Sequence, residues 1–230
     1  MGFTTAGRGA EMIAVVISEI AGWLKEESRT TISIMVIIIG LIGSFSFIRP
    51  EFCLETLAAI ILWVAIKAGN ENWSEFTLQD WVKRTKLSLR NLIIGKVLAA
   101  LTVYWIHLIF IFPVLIIMKI LWGFTWFQLA NVLLTILIAA LIVTGFGLCG
   151  SCLKKDEENV IASILIGVWI VLTALIPFIR PFNPFYYIWN ALASDILSLR
   201  TLLIHLANLM VVVLSINLAE YFFRKEARYV

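Results

Sequence analysis

Few residues of this chain carry side chains that could do chemistry, and most of them stand in apolar surroundings. His107 and His205 are the only two histidines. Neither belongs to a His-Glu-x-x-His motif, and neither has a carboxylate one helical turn away, so a metalloprotease site is not indicated. An ionisable group inside an apolar stretch is still a candidate for function. A neutral, hydrogen-bonded packing histidine is the alternative for both.

The cysteines and the Gly-Lys pair of the chain do not complete a catalytic motif either. Cys149 and Cys152 have the spacing of a redox pair, but the sequence around them is not thioredoxin-like. Packing cysteines are the favoured interpretation. The stretch 93–96, Ile-Ile-Gly-Lys, lacks the upstream glycine and the following hydroxyl residue of a phosphate-binding loop. We therefore expect no enzyme activity, no metal site and no cofactor on this chain.

The composition explains why reactive groups are so few. Of the 230 residues, 61% are hydrophobic and only 14% are charged, whereas a soluble domain has about 45–50% apolar and about 25% charged residues. A membrane-spanning helix needs about 20 apolar residues, and continuous apolar backbone in a bilayer must be helical. We expect one domain, 1–230, of the all-α class: a polytopic helical bundle with six transmembrane helices. The spans are predicted at about 32–48, 54–68, 92–118, 127–149, 160–178 and 202–223.

The positions of the basic residues predict the orientation. With both termini in the cytoplasm, the inner segments hold fourteen Lys and Arg residues and the outer segments hold four. The outer four are Arg49, Lys119, Arg180 and Arg200. Because positive residues accumulate on the cytoplasmic side, we predict a multi-pass protein with both termini cytoplasmic.

Three glycines lie close together near the end of the fourth apolar stretch. They are Gly145, Gly147 and Gly150. Small residues let membrane helices approach closely. We expect a tight helix contact there, within the protomer or at a dimer seam.

An amphipathic helix is predicted over 10–27, before the first span. Apolar residues such as Ile13, Ile17 and Leu24 recur at helical spacing, while Glu11 and Glu19 belong to the polar side. This pattern is typical of a helix that lies along a membrane interface. A cytosolic helix packed on the other helices is the alternative.

The segment between the second and third spans, 69–92, is the most informative cytoplasmic part. Its acidic start is followed by Leu78, Trp81 and Val82 at helical spacing and then by a basic end. Such a helix could bind anionic lipid or dock into a groove of a soluble partner. A plain basic loop that only sets topology is the third possibility.

The stretch 84–96, Arg-Thr-Lys-Leu-Ser-Leu-Arg-Asn-Leu-Ile-Ile-Gly-Lys, resembles the loop that leads into the third span in permeases of type-2 ATP-binding-cassette (ABC) exporters. Ser88, Arg90, Gly95 and Lys96 are in register with that family's pattern, with apolar residues between them. The N-terminal helix, the Asn-Pro-Phe-Tyr-Tyr segment 183–187 and the charged tail 224–228 resemble the family too. The resemblance therefore covers nearly the whole chain.

The resemblance implies a permease subunit of an ATP-driven exporter in the inner (plasma) membrane, surrounded by lipid and with no nucleic-acid partner. ATP and Mg would be bound by a separate ATPase subunit, and a second permease, identical or homologous, would complete the complex. The ATPase would seat on a coupling helix, and Glu55 and His107 are candidates for the substrate path. The expected coupling residues are Glu71, Glu75, Leu78, Trp81, Arg84, Ser88 and Arg90. The alternative is a self-sufficient channel or secondary transporter.

Overall fold

The part of the chain that the computed structural model describes is mostly helical. The structure describes residues 5–26, 88–151 and 198–226, together with 164, 167–168, 171–172, 175–177, 180, 183 and 191. Four long helices lie in these ranges: α1 (Thr5–Glu26), α2 (Leu89–Trp122), α3 (Trp126–Ser151) and α4 (Leu199–Glu226).

Three of the four helices are long and apolar enough to cross a membrane. The qualifying stretches are Leu89–Ile109 in α2, Trp126–Cys149 in α3 and Leu199–Arg224 in α4. They overlap the predicted spans 92–118, 127–149 and 202–223, and they indicate a helical membrane protein. The predicted spans 32–48 and 54–68 lie outside the described residues, and so does most of 160–178.

Local side-chain chemistry defines the hairpin that joins α2 to α3. Gly123 ends α2 in the left-handed conformation, with φ 69°, and its N–H donates to the Lys119 carbonyl at 3.1 Å. Glycine is favoured there because it has no Cβ to clash. Thr125 and Gln128 then form a reciprocal cap: the Gln128 N–H donates to the Thr125 hydroxyl at 3.2 Å, and the Thr125 N–H donates to Gln128 Oε1 at 2.8 Å.

Aromatic contacts reinforce the same hairpin. The rings of Phe112 and Trp126 are stacked with their centroids 6.3 Å apart, and Lys119 Nζ lies 5.0 Å from the Trp126 ring centroid. An amine at that distance is attracted to the face of an indole ring. The antiparallel arrangement of α2 and α3 is therefore specified within a short length of chain.

Thr125→Val should weaken the start of α3, because valine keeps the shape of threonine but cannot accept the Gln128 N–H. We expect a loss of about 1 kcal/mol, the usual contribution of an N-terminal cap, measured as a lower thermal midpoint in detergent. Thr102→Val is the matched control, since the Thr102 hydroxyl donates only to the Leu98 carbonyl of its own helix. Equal midpoints for the two variants would contradict this role of Thr125.

Helices α3 and α4 run parallel and form the most extensive contact among the described helices. A polar layer, Asn131 with His205, lies near their N-terminal ends. An apolar layer of Ile138, Ile142 and Val212 follows it. Further along, a side chain at Gly145 would collide with Ser215. The tight contact predicted for the glycines is thus present at Gly145, between two helices of one chain.

Helix α1 follows α2 in the same direction for about three turns. At one end, the Met12 carbonyl oxygen would lie 3.6 Å from a Cβ built on Gly95. At the other end, the rings of Trp23 and His107 are 5.5 Å apart. The two helices advance almost equally between these contacts, by 11 residues (23 − 12) and 12 residues (107 − 95), so they are close to aligned.

Candidate functional site

The described part of the segment that resembles type-2 permeases, residues 88–96, lies at the start of α2. Ser88 is the N-cap, and its hydroxyl accepts the Asn91 N–H at 3.3 Å. The cap fixes where the loop becomes helix. Arg90 lies in the first turn with its side chain exposed. Glu71, Glu75, Leu78, Trp81 and Arg84, the other predicted coupling residues, lie outside the described residues.

Two turns into α2, a buried ion pair joins this segment to α1. Lys96 Nζ lies 3.4 Å from Glu19 Oε1, and the two side chains are 4% and 2% exposed. Burial of either charge without a partner would be strongly unfavourable, and here the two charges lie against each other. The pattern placed Glu19 on the polar side of α1, but it faces α2 because Lys96 supplies its counter-charge there.

The opposite side of α1 is apolar. Ile13, Ile17 and Leu24 are each more than half exposed. Among the described positions of α1, the charged Glu19 therefore points inward while large aliphatic side chains point outward. This is the arrangement of a helix in an apolar environment, where a charge is tolerated only against a protein partner.

His107, the described candidate for the substrate path, lies on the same side of α2 as Lys96. Its Nδ1 is 2.6 Å from the Val103 carbonyl oxygen. Because a carbonyl only accepts, Nδ1 carries the proton and, in the neutral ring, Nε2 is an acceptor. Nε2 is buried and has no hydrogen-bond partner among the described residues. Trp23 packs against the ring. His107 is thus buried between α1 and α2.

His205 is a hydrogen-bonded packing histidine, the alternative that the sequence left open for it. Its Nε2 is 2.8 Å from Asn131 Oδ1, and Asn131 Nδ2 donates to the Ala191 carbonyl at 3.0 Å. The amide orientation makes His205 Nε2 the donor. All three residues are buried. These two hydrogen bonds connect α4 to α3 and α3 to Ala191.

Two further buried polar contacts connect the helices at other levels. The Tyr104 hydroxyl of α2 bonds to the Thr144 hydroxyl of α3, which itself donates to the Ala140 carbonyl at 2.9 Å. Tyr104 is therefore the donor to Thr144. Cys149 is a free, buried thiol that donates to the Ser215 carbonyl at 3.3 Å. These bonds satisfy polar groups that water cannot reach.

Metal binding is not indicated within the described ranges. No group of three or more His, Cys, Asp or Glu side chains is close enough there to hold an ion. His107 and His205 belong to different contacts, one between α1 and α2 and the other between α3 and α4. Glu55, the second candidate for the substrate path, lies outside the described residues.

No family model, curated protein or solved structure matches this chain. The resemblance to type-2 permeases therefore stands on the sequence pattern alone. Of its best-defined stretch, 84–96, the structure describes residues 88–96.

The feature that sequence reasoning missed is the partnership of Glu19 with Lys96. A signal for it exists in the sequence. Glu19 has Val15 and Trp23 one turn away on either side, so it interrupts an apolar stripe of α1. Lys96 likewise interrupts the apolar stretch 92–118. Two isolated charges of opposite sign in apolar helices are natural partners.

Proposed function

We propose that this chain is the permease subunit of an ATP-driven type-2 ABC exporter. The observation that carries the proposal is the sequence pattern of residues 84–96, in which Ser88, Arg90, Gly95 and Lys96 match the family's register. ATP and Mg belong to a separate ATPase subunit in this proposal, and the chain itself is not an enzyme. Six spans, cytoplasmic termini, the inner (plasma) membrane and a second permease, identical or homologous, are parts of the same proposal.

The structure around the pattern supports the proposal because each of its four matching residues has a separate structural role or location. Ser88 caps α2, and Arg90 is exposed one residue into the helix. Gly95 leaves room for Val15 of α1, and Lys96 pairs with Glu19. The proposed docking segment 71–90 thus leads directly into the part of the molecule where α1 and α2 are joined.

In this arrangement, a movement caused by the ATPase at the docking segment would have only a short distance to travel to the membrane helices. Arg90 and Lys96 are six residues apart (96 − 90), or about 9 Å along a helix. A movement of the docking segment would therefore reach α2 and its contact with α1 within two turns. Helix α2 then passes into the bundle, where Tyr104 contacts α3.

The test is co-purification of the ATPase subunit encoded beside this chain. We expect it to be recovered with the unaltered chain and lost from a variant with Trp81, Arg84 and Arg90 changed to Ala. The control changes Trp122 and Arg200 to Ala. Both residues are exposed, and they lie at the end of α2 and at the start of α4, away from Arg90. Equal recovery with both variants would make the segment a topology-setting loop and overturn the proposal.

A self-sufficient channel or secondary transporter is the second candidate, favoured by the polar groups buried within apolar helices. His205, Asn131 and Asn208 are all buried in α3 and α4. Polar side chains at membrane depth often mark a transport pathway. Gradient-driven flux through liposomes that hold the chain alone, without ATP, would support this second function.

A further inference from the structure

Helix α1 is joined to α2 by three successive contacts, each with a different chemistry. In the first, a Cβ built on Gly95 would lie 3.2 Å from Val15 Cγ1, so Val15 occupies the space that a side chain at 95 would need. The second is the ion pair of Glu19 with Lys96, and the third is the contact of Trp23 with His107. Val15, Glu19 and Trp23 are one turn apart and are the most buried of the residues 9–25, for which the burial in α1 is described.

The burial of the middle contact is not by itself evidence that it adds stability. A buried ion pair replaced by well-packed apolar residues is often as stable or more stable. A buried polar pair instead disfavours every register in which its partners separate, because a buried carboxylate and a buried ammonium group then lose their mutual attraction. A slide of α1 by one turn would move Glu19 about 5.4 Å along α2 and break its contact with Lys96.

We propose that Glu19 and Lys96 are positioning residues that hold α1 in a single register on the start of α2. The pair makes α1 and the first turns of α2 one rigid unit, so that motion at segment 71–90 is transmitted to α1 as well. The second statement rests on the proposed function, whereas the first stands on the contacts of α1 and α2 alone.

The register can be measured by a disulfide between Val15→Cys and Gly95→Cys in the full chain, with Cys53, Cys149 and Cys152 replaced by Ala. A Cβ on Gly95 would lie 3.3 Å from Val15 Cβ, close to the Cβ–Cβ distance of a disulfide, which is about 3.5–4.5 Å. Cysteine at 15 also lacks the branched methyl groups of valine, so it relieves the contact with Val15 Cγ1. Ala14→Cys with Gly95→Cys is the matched control, because Ala14 is exposed and faces away from α2.

We expect rapid cross-linking of the Val15 and Gly95 positions when the ion pair is intact. Cross-linking should fall in Glu19→Gln and in Lys96→Met, and it should return when the charges are exchanged, Glu19→Lys with Lys96→Glu. Glu220→Gln is the control for loss of a carboxylate, since its partner Arg224 is 67% exposed. Cross-linking that is unchanged in both single variants would overturn the positioning role.

Transmission is tested with the ATPase complex in lipid nanodiscs, by the extra ATP hydrolysis that the permease induces. We expect Lys96→Met to retain the ATPase but lose this stimulation, down to the rate of the ATPase alone, and the exchanged pair to restore it. If single variants do not fold, the neutral pair Glu19→Met with Lys96→Met removes both charges of the ion pair together. Full stimulation by that neutral pair would overturn the transmission role.

The two hypotheses fail in different ways. An ATPase that does not co-purify with the unaltered chain would overturn the proposed function and, with it, the transmission role. The disulfide experiment would still decide whether Glu19 and Lys96 set the register. Cross-linking lost in the single variants and restored by exchange, together with normal ATPase recovery, is the result that supports both.

Discussion

Gly145→Val is expected to prevent α3 and α4 from packing at their native separation. A Cβ built on Gly145 would lie 2.0 Å from Ser215 Oγ and 2.8 Å from Ser215 Cβ. Rotation of the hydroxyl cannot relieve the second clash, because Cβ is fixed by the backbone. Overpacking of this kind costs about 1–3 kcal/mol, and the branched valine should lie at the upper end of that range. The measurement is the thermal midpoint in detergent.

Two variants separate this clash from a general effect of losing a glycine. Ser215→Gly removes both colliding atoms, so the double variant Gly145→Ala with Ser215→Gly should regain much of the stability lost in Gly145→Ala. Gly9→Ala is the matched control, because nothing lies within 4 Å of a Cβ at Gly9. Failure of Ser215→Gly to restore any stability would show that the helix contact is not limited by these atoms.

Asn131→Leu is expected to have the second large effect, although the leucine side chain has the same branched shape as that of asparagine. The change removes the hydrogen bonds with the Ala191 carbonyl and with His205 Nε2. A buried polar group that loses its bond costs about 1–3 kcal/mol, and two groups are affected here. We expect a marked drop in the thermal midpoint and weaker packing of Ala191 against α3.

Asn208→Leu is the matched control for that experiment, one turn along α4 from His205. Asn208 Nδ2 donates only within its own helix, to the Ile204 carbonyl at 3.0 Å. Its buried Oδ1 has no partner among the described residues, so leucine should be tolerated or stabilising. A second comparison adds His205→Leu to Asn131→Leu, which should recover part of the lost stability. Equal losses for Asn131→Leu and Asn208→Leu would contradict the assigned bonds.

The sequence predicted the helices of the described bundle well, because the membrane requirement is strong and local. Long apolar stretches must be helical in lipid, and 92–118, 127–149 and 202–223 all lie within described helices. The N-terminal helix was expected along the membrane interface over 10–27, whereas the observed helix Thr5–Glu26 packs lengthwise against α2. Helix boundaries depend on caps such as Ser88 and Gly123, and these lie just beyond the apolar residues that the pattern detects.

The pairing of side chains across helices was harder to predict from the sequence. The order of helices along a chain does not specify which faces meet. The pattern therefore assigned Glu19 to the polar side of α1, although its place in an apolar stripe pointed to a buried partner. The order of helices also does not specify the contact between Asn131 and His205, which are 74 residues apart. A close helix contact at Gly145 was easier to predict, because a residue without a side chain permits close approach. Its partner Ser215 could not be predicted in the same way.

The ion pair between α1 and α2 also imposes an order on biosynthesis. Glu19 leaves the ribosome 77 residues before Lys96 (96 − 19), which corresponds to roughly 4–15 s of translation. During that interval the carboxylate has no counter-ion from Lys96. Glu19 should therefore react faster with a water-soluble carbodiimide in chains truncated before α2 than in the full chain. The hairpin of α2 and α3 needs no such delay, since its contacts are local. The nascent chain must complete α2 before its own first helix can take its final place.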